Sequence, residues 1–278
     1  MSRRCDRGAA THNSEVWHGQ LFHHSPSMDH HTKATPKNKA DMLLESVTGV
    51  AGDLDEFVDF SMIAQAEALK FGIEHFRRRK PHCSGTIVCQ LNDCWPVLSW
   101  ALVDYHGFGE AAYYAVRRAF APVMASFKAT DDGLELWGVN DTGAPGARHR
   151  PRPRGDVRGR RAGRRGGRFA VPPHASRLVH WTAVEGARDR YASVRGAAFP
   201  PNRHFFATIK DLDRAPGELE HAFDDGAVRL RAKTYAYFVH LSCPDEAARF
   251  EDDYLELAPG EERTVAVSGA DDLTVRSR

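Results

Sequence analysis

Between Asp53 and Arg79, the apolar residues Val58, Met62, Ala66, Leu69, Ile73 and Phe76 recur at steps of three or four. That spacing lays one apolar stripe along a helix. Asp53 can cap its start with Glu56 three residues on, and Pro81 prevents its continuation. Arg77, Arg78 and Arg79 suit the negative end of the helix dipole, so a core-facing helix with a solvated basic end is expected. Thr86-Ile87-Val88-Cys89 is short and β-branched, the pattern of a strand buried on both faces, and it stops abruptly in Gln90, Asn92 and Asp93. Glu110 to Phe120 has helical composition and ends before Pro122. Val123 to Asp141 reads as two strands around the Asp131-Asp132-Gly133 turn. Further on, VRLRAKTYAYFVHLS alternates, with Val228, Leu230, Ala232, Thr234 and Ala236 on one face. LELAPGEERTVAV then reads as strand, Pro-Gly turn and strand.

Composition changes this picture in the middle of the chain. The 278 residues suffice for one large or two to three small domains, and the net charge of +1 points to no particular partner. That average conceals Gly143 to Arg168, which carries ten arginines, many glycines and prolines, and almost no large apolar residue. Such a stretch buries too little surface to offset its ordering and is expected to be disordered. Two readings compete. An Arg/Gly-rich segment can bind RNA or single-stranded nucleic acid through phosphates, but no aromatic residue is present for base stacking. The favoured alternative is that a strand-rich segment has been replaced, as by reading a GC-rich gene out of frame. Five scattered cysteines without paired CxxC spacing suit reduced thiols. No run of about 18 apolar residues implies a membrane span. The arginines near the N-terminus are followed by no apolar core of a secretory signal, and a cytoplasmic location is expected. Met1 to Gln20 shows no pattern and is expected to be poorly ordered.

The candidate chemistry clusters after the apolar run. A buried strand that ends in Gln90, Asn92, Asp93 and Trp95 is how a barrel enzyme presents its site, at the carboxyl ends of its strands. Glu74 is expected to pair with Arg77 or Arg78 on its own helix. His23, His24, His30 and His31 lack the i, i+4 spacing and matched carboxylate of a helical zinc site, so a packed loop is preferred to a metal centre.

QLNDCWPVLSW followed by VDYHGFGEAAYYAVRRAFAPV resembles the end of the catalytic barrel in β-mannosidases of glycoside hydrolase family 2. LFHHSPSMDHHTKATPKNKADMLLESVTG is similar to the loop and helix after the seventh barrel strand of those enzymes. LELWGVNDT resembles a strand of their immunoglobulin-like domain, and Glu218 to Ser277 resembles their small terminal β-sandwich. Two residues depart from the pattern: Cys89 stands where tryptophan is usual, and Glu110 where lysine is usual. The loss of that tryptophan puts sugar stacking at position 89 in doubt.

The resemblance implies an α+β multidomain chain, with the C-terminal remnant of a (β/α)8 TIM barrel ahead of immunoglobulin-like β-sandwiches. Residues 1–20 are unmatched, 21–122 would be the barrel end, 123–212 a sandwich disrupted at about 143–195, and 213–278 a terminal sandwich. The implied activity is retaining hydrolysis of terminal non-reducing β-D-mannose, without metal or organic cofactor, on a β-mannoside or manno-oligosaccharide. Gln90, Asn92, Asp93 and Trp95 would bind substrate. Asp93 could meet a sugar hydroxyl or a catalytic group, or equally cap the loop to Trp95; Trp100 is expected to pack rather than stack on sugar. Retaining chemistry needs two carboxyl groups roughly 5–5.5 Å apart, which the family places on the fourth and seventh strands. This chain begins after the seventh, so no catalytic residue is assigned. Ser14-Glu15-Val16-Trp17 mimics the start of the nucleophile motif, but Glu15 lies too close to His23 and lacks the following Phe/Tyr-Gly. The expectation is therefore a C-terminal fragment, inactive alone, whose standing as an enzyme is open. Its unpaired strand edges would favour self-association, with no membrane or nucleic-acid partner expected. The competing class is a non-enzymatic β-sandwich module binding carbohydrate or protein, or nucleic acid through the Arg-rich segment.

Overall fold

A computed structural model describes residues 30–33, 39–83, 85–144, 155–156, 169–183, 187–245 and 247–278. Met1 to Gln20, with Glu15, lies outside the described residues, as do His23, His24 and all of the Arg-rich stretch from Pro145 to Arg168 except Gly155 and Asp156. The chain divides into two compact units: residues 1–72 with 86–117, and residues 73–85 with 118–278.

The first unit is helical where it is regular. α1 (Lys39–Val47) precedes α2 (Leu54–Arg78), whose residues through Gly72 belong here. Asp53 accepts a hydrogen bond from the Glu56 amide at 2.8 Å, and Glu56 accepts one from the Gly52 amide at 2.9 Å. This is the expected capping box, with its return bond displaced by one residue. Leu44, Phe57 and Ala64 form the local core, with Val47, Leu54, Phe60 and Leu98 against it. The stripe is imperfect, since Phe76 and Phe71 are exposed. α3 (Ala111–Ala119) follows Glu110, whose backbone carbonyl accepts from the Tyr113 amide.

The expected strand Thr86–Cys89 is not formed. Nothing among the described residues supplies a ladder beside it, and Ile87 is 95 % exposed. Pairing begins only where the run ends: the Leu91 carbonyl accepts from the amides of Leu102 and Val103 at 3.1 and 2.8 Å. Isolated bridges join Thr32 to Leu98, Asn92 to Val103 and Val103 to Gly109. Among the described residues there is no closed barrel, because a strand needs neighbours on both sides to be one.

The second unit is built of antiparallel sheets. β1 (Val123–Thr130) and β2 (Gly133–Asn140) form the expected hairpin, in register from Val123↔Asn140 to Thr130↔Gly133. A Cβ on Gly133 would lie 2.5 Å from the Thr182 carbonyl oxygen, so only glycine permits this approach of strands. β3 (Gly155–Asp156), β4 (Ala175–Thr182), β5 (Arg190–Gly196) and β6 (Phe199–Phe205) complete two sheets, ordered β1-β2-β4 and β3-β5-β6. The expected disruption over about 143–195 is therefore too wide. β4 and β5 lie inside it, and β4 pairs with β2 from Ala175↔Asn140 to Thr182↔Leu134. Ala125, Leu136, Val194 and Phe199 fill the core between the sheets.

The terminal sandwich comprises β7 (Leu219–Asp224), β8 (Ala227–Ala232), β9 (Ala236–Ser242), β10 (Arg249–Phe250), β11 (Leu255–Leu257), β12 (Glu262–Ser268) and β13 (Thr274–Arg276). Its sheets run β10-β12-β8-β7 and β11-β9-β13. Asp225 and Gly226, both at positive φ, make the two-residue turn between β7 and β8, the geometry that matches strand twist. The alternating run from Val228 forms two strands: it breaks after Ala232 and resumes in the other sheet at Ala236. Val228, Leu230, Val239, Leu241, Leu257 and Val265 are nearly inaccessible and form the core.

The basic end of α2 is solvated only at Arg79. Arg77 and Arg78 are buried, Arg78 at 7 % exposure. The Arg77 guanidinium bonds the Ala119 carbonyl and, at 2.7 Å, Asp141. Arg78 donates to the Ser126 hydroxyl, which in turn donates to Glu74 at 2.6 Å, while Asn202 donates to the other Glu74 oxygen at 2.8 Å. Burial pulls the Arg78 guanidinium below its ordinary value, with the charges of Glu74 and Glu135 opposing. Burial raises the Asp141 carboxyl, but Lys80 and Arg77 outweigh it and leave it below the usual range. Ser176 on β4 donates to the Arg78 carbonyl at 2.7 Å, satisfying one of the helix's terminal acceptors.

Among the described residues the two sandwiches meet through ion pairs, Arg195 with Glu261 and Arg203 with Glu256, and a group of rings. Arg203 on β6 reaches both Glu256 oxygens at 3.0 Å and lies over the Phe205 ring, while the Tyr235 hydroxyl donates to Glu256 at 2.8 Å. Tyr191 and Tyr235 have ring centroids 4.5 Å apart.

Two outcomes are expected. Glu74→Ala leaves the buried Arg78 without its counter-charge, and the Ser126 hydroxyl and one Asn202 N–H without their acceptor, and should cost about 3–5 kcal/mol in denaturant melts. A loss below about 1 kcal/mol would show that the network relaxes without it. Burial, with the Glu256 charge second, pushes the Tyr235 hydroxyl well above its ordinary value. A raised folded-state value contributes stability below the unfolded value, and that stability is lost as pH rises above about 10. Tyr235→Phe should therefore flatten the alkaline decline of stability; an unchanged decline would assign it to other groups.

Candidate functional site

Gln90, Asn92, Asp93 and Trp95 share one loop in the first unit, and Asp93 is its hub. The loop is fixed on one side by backbone bonds, from the Val103 amide to Leu91 at 2.8 Å and from the Asp93 amide to Val103 at 3.3 Å. The peptide between Cys89 and Gln90 is cis. On the other side runs the segment His31 to Lys33: the Leu98 amide bonds the His31 carbonyl at 2.7 Å, and the Lys33 amide bonds the Leu98 carbonyl at 3.1 Å.

The Asp93 side chain, with the residue 8 % exposed, takes three donors. Lys33 Nζ lies 2.7 Å from Oδ1, Gln90 Nε2 lies 2.9 Å from the same oxygen, and Ser99 Oγ lies 2.6 Å from Oδ2. A carboxylate taken out of water requires such compensation. Asn92, itself exposed, donates from Nδ2 to the Asp93 carbonyl at 3.2 Å. The side-chain oxygens of Gln90 and Asn92 accept no hydrogen bond from the described residues.

Trp95 is half-buried and lies flat against His31, with centroids 5.2 Å apart and planes at 28°; His30 meets it edge-on. His31 Nδ1 is 2.6 Å from the Pro96 carbonyl, which can only accept, so the ring holds its proton on Nδ1. Trp100 is 45 % exposed, against the expectation that it packs; only its backbone carbonyl is tied, to Gln65 Nε2 at 3.0 Å. Cys89 is exposed, and Glu110 is buried at the start of α3. Glu74 makes the expected contact with Arg78, at 3.8 Å, but its closer partners are Ser126 and Asn202.

The structure thus gathers the four residues that the sequence singled out and gives Asp93 an internal task. With both oxygens occupied, it organises a loop in which the side-chain oxygens of Gln90 and Asn92 accept nothing from the described residues. Lys33, His31 and Ser99 complete the arrangement. Sequence reasoning had no means of joining Lys33 to Asp93 across 60 positions, although His31 stood in a segment already singled out. Among the described residues no cluster of three or more His, Cys, Asp or Glu is placed to hold a metal, and no helix is long and apolar enough to cross a membrane.

The terminal sandwich is of immunoglobulin-like class: the Ig_mannosidase family, described as an Ig-fold domain, matches residues 214–277. Beta-mannosidase B of Aspergillus niger is 39 % identical over 106 residues, covering 36 % of this chain and 12 % of that protein. The corresponding protein of Emericella nidulans is 39 % identical over 101 residues, covering 34 % and 12 %. Among solved structures, a β-D-mannosidase from Dictyoglomus thermophilum superposes with a TM-score of 0.87 at 23 % identity, over 100 % of this chain and 36 % of that one. An exo-chitosanase from Amycolatopsis orientalis gives 0.65 at 17 % identity, over 85 % of this chain and 36 % of that one. At those identities the solved structures speak for fold alone. The alignment with the curated relatives spans about an eighth of their length. The chain is similar to the C-terminal part of a β-mannosidase of glycoside hydrolase family 2.

Proposed function

We propose that this chain supplies the C-terminal portion of a β-mannosidase-type glycoside hydrolase. In this reading the loop from Gln90 to Trp95 forms part of the rim around a terminal non-reducing β-D-mannose, and the region 21–122 corresponds to the end of a catalytic barrel. The observation that carries it is the loop itself. A buried Asp93 carboxylate accepts from three donors, Lys33, Gln90 and Ser99, and so orders the loop that carries Gln90, Asn92 and Trp95. Such construction costs free energy that simple loop closure does not require, and polar groups beside an aromatic face are what sugar recognition uses.

Asp93, the carboxylate of this loop, is committed to its three donors and is not available as acid or nucleophile. The 278-residue chain, made as such, is therefore expected to show no hydrolysis of an aryl β-mannoside above background, while binding methyl β-mannoside weakly. Turnover that disappears in Asp93→Asn would overturn this division of labour.

Self-association belongs to the same reading. Ile87 and Leu91 lie at 95 % and 62 % exposure, and no ladder among the described residues covers the backbone of Thr86–Cys89 beside them. Sedimentation should show oligomers that Ile87→Ser with Leu91→Ser reduces. A compact monomer at the same concentration would remove self-association from the proposal.

A further inference from the structure

Resting on the reading of the Gln90–Trp95 loop as a sugar-binding rim, we propose that Lys33 is its positioning residue. By neutralising the buried Asp93 carboxylate, Lys33 fixes the loop in the arrangement that lays Trp95 against His31.

Two segments far apart in sequence are fastened here at two points. At the first, Lys33 Nζ meets Asp93 Oδ1 at 2.7 Å. At the second, two residues back on one segment and two residues on along the other, His31 stacks on Trp95 at 5.2 Å. The His31 ring also holds the next carbonyl, that of Pro96, at 2.6 Å. Gln90 and Ser99 give Asp93 hydrogen bonds that carry no charge and come from the same stretch of chain, residues 90–99. Lys33 brings the one formal charge that faces Asp93 among the described residues, and it comes from outside the loop. Its ammonium is only partly covered, with 26 % of the side chain exposed, against 5 % for Asp93. The cost of separation therefore falls mainly on the carboxylate, which without Lys33 gains by moving toward water. Because Trp95 is two residues from Asp93, that movement carries the indole off His31. Asp93 in this account touches no sugar; it sets where Gln90, Asn92 and Trp95 lie.

The test is fluorine NMR of the chain labelled with 5-fluorotryptophan, with the Trp95 signal identified by its loss in Trp95→Phe. Lys33→Met should move the Trp95 resonance by more than its linewidth and leave those of Trp137 and Trp181, in the second unit, in place. Lys33→Arg should keep the wild-type position, because charge is what the buried carboxylate needs. In an Asp93→Asn background, Lys33→Met should have no further effect on Trp95. An unmoved Trp95 resonance in Lys33→Met overturns the proposal. So does a uniform disturbance of Trp137 and Trp181 as well, shared by Lys33→Arg, which would mark Lys33 as structural only. Titration with methyl β-mannoside separates the two readings. If no tryptophan signal of the wild-type chain responds, the sugar rim fails, while the positioning role of Lys33 is still decided by the variant spectra.

Discussion

The carboxylate of Glu74 is the constraint on which the second unit depends. It sits on the last turns of α2, yet its partners are Ser126 on β1 and Asn202 on β6, with Arg78 joined through the same serine. Its partners are themselves buried, and if the carboxylate moves the Ser126 hydroxyl and one Asn202 N–H lose their acceptor and Arg78 its counter-charge. The helix end, the first hairpin and the strand that closes the first sandwich are thereby held to one geometry. Asn202 also bonds the Ala125 carbonyl, so the link extends into the backbone of β1.

From β6 the same logic continues outward. Arg203, the next residue, turns to Glu256 and Tyr235 of the terminal sandwich, and Arg118 reaches Asp252 and the carbonyls of Asp253 and Tyr254. Apolar burial makes each sandwich cohere, but it is non-directional and would tolerate sliding. Directional, charge-assisted bonds remove that freedom. The first unit uses the device once more, at Asp93, where the constraint fixes a loop that presents polar groups and an indole. The sandwiches and the loop are fixed by the same physical means.

Local patterns were enough to establish much of the architecture. The helix over Leu54–Arg78 follows from a three- and four-residue apolar step and an Asp53 cap, both short-range effects. The β1–β2 hairpin follows from alternation around two turn residues, and the terminal strands from period-two burial. The loop of Gln90, Asn92, Asp93 and Trp95 was legible because amide, carboxylate and indole side chains follow an apolar run without a gap. In each case the deciding interactions lie within a few residues, where sequence order is itself a map of proximity.

What tertiary structure alone decided involves partners far away in the chain. Thr86–Cys89 has strand composition, but a strand exists only through a neighbour's backbone, and none is described beside it. Arg77 and Arg78 look like a solvated helix end until Asp141, Ser126 and the Ala119 carbonyl are brought over them. The run from Val228 to Ala236 has unbroken alternation, yet the chain crosses between sheets within it, because two sheets must share one core. Lys33 carries no pattern at all; only the fold sets its ammonium on Asp93. Sequence thus determined the segments and the chemical inventory of the site, whereas the pairing of buried charges waited on the fold, since charge compensation is a property of space and not of order along the chain.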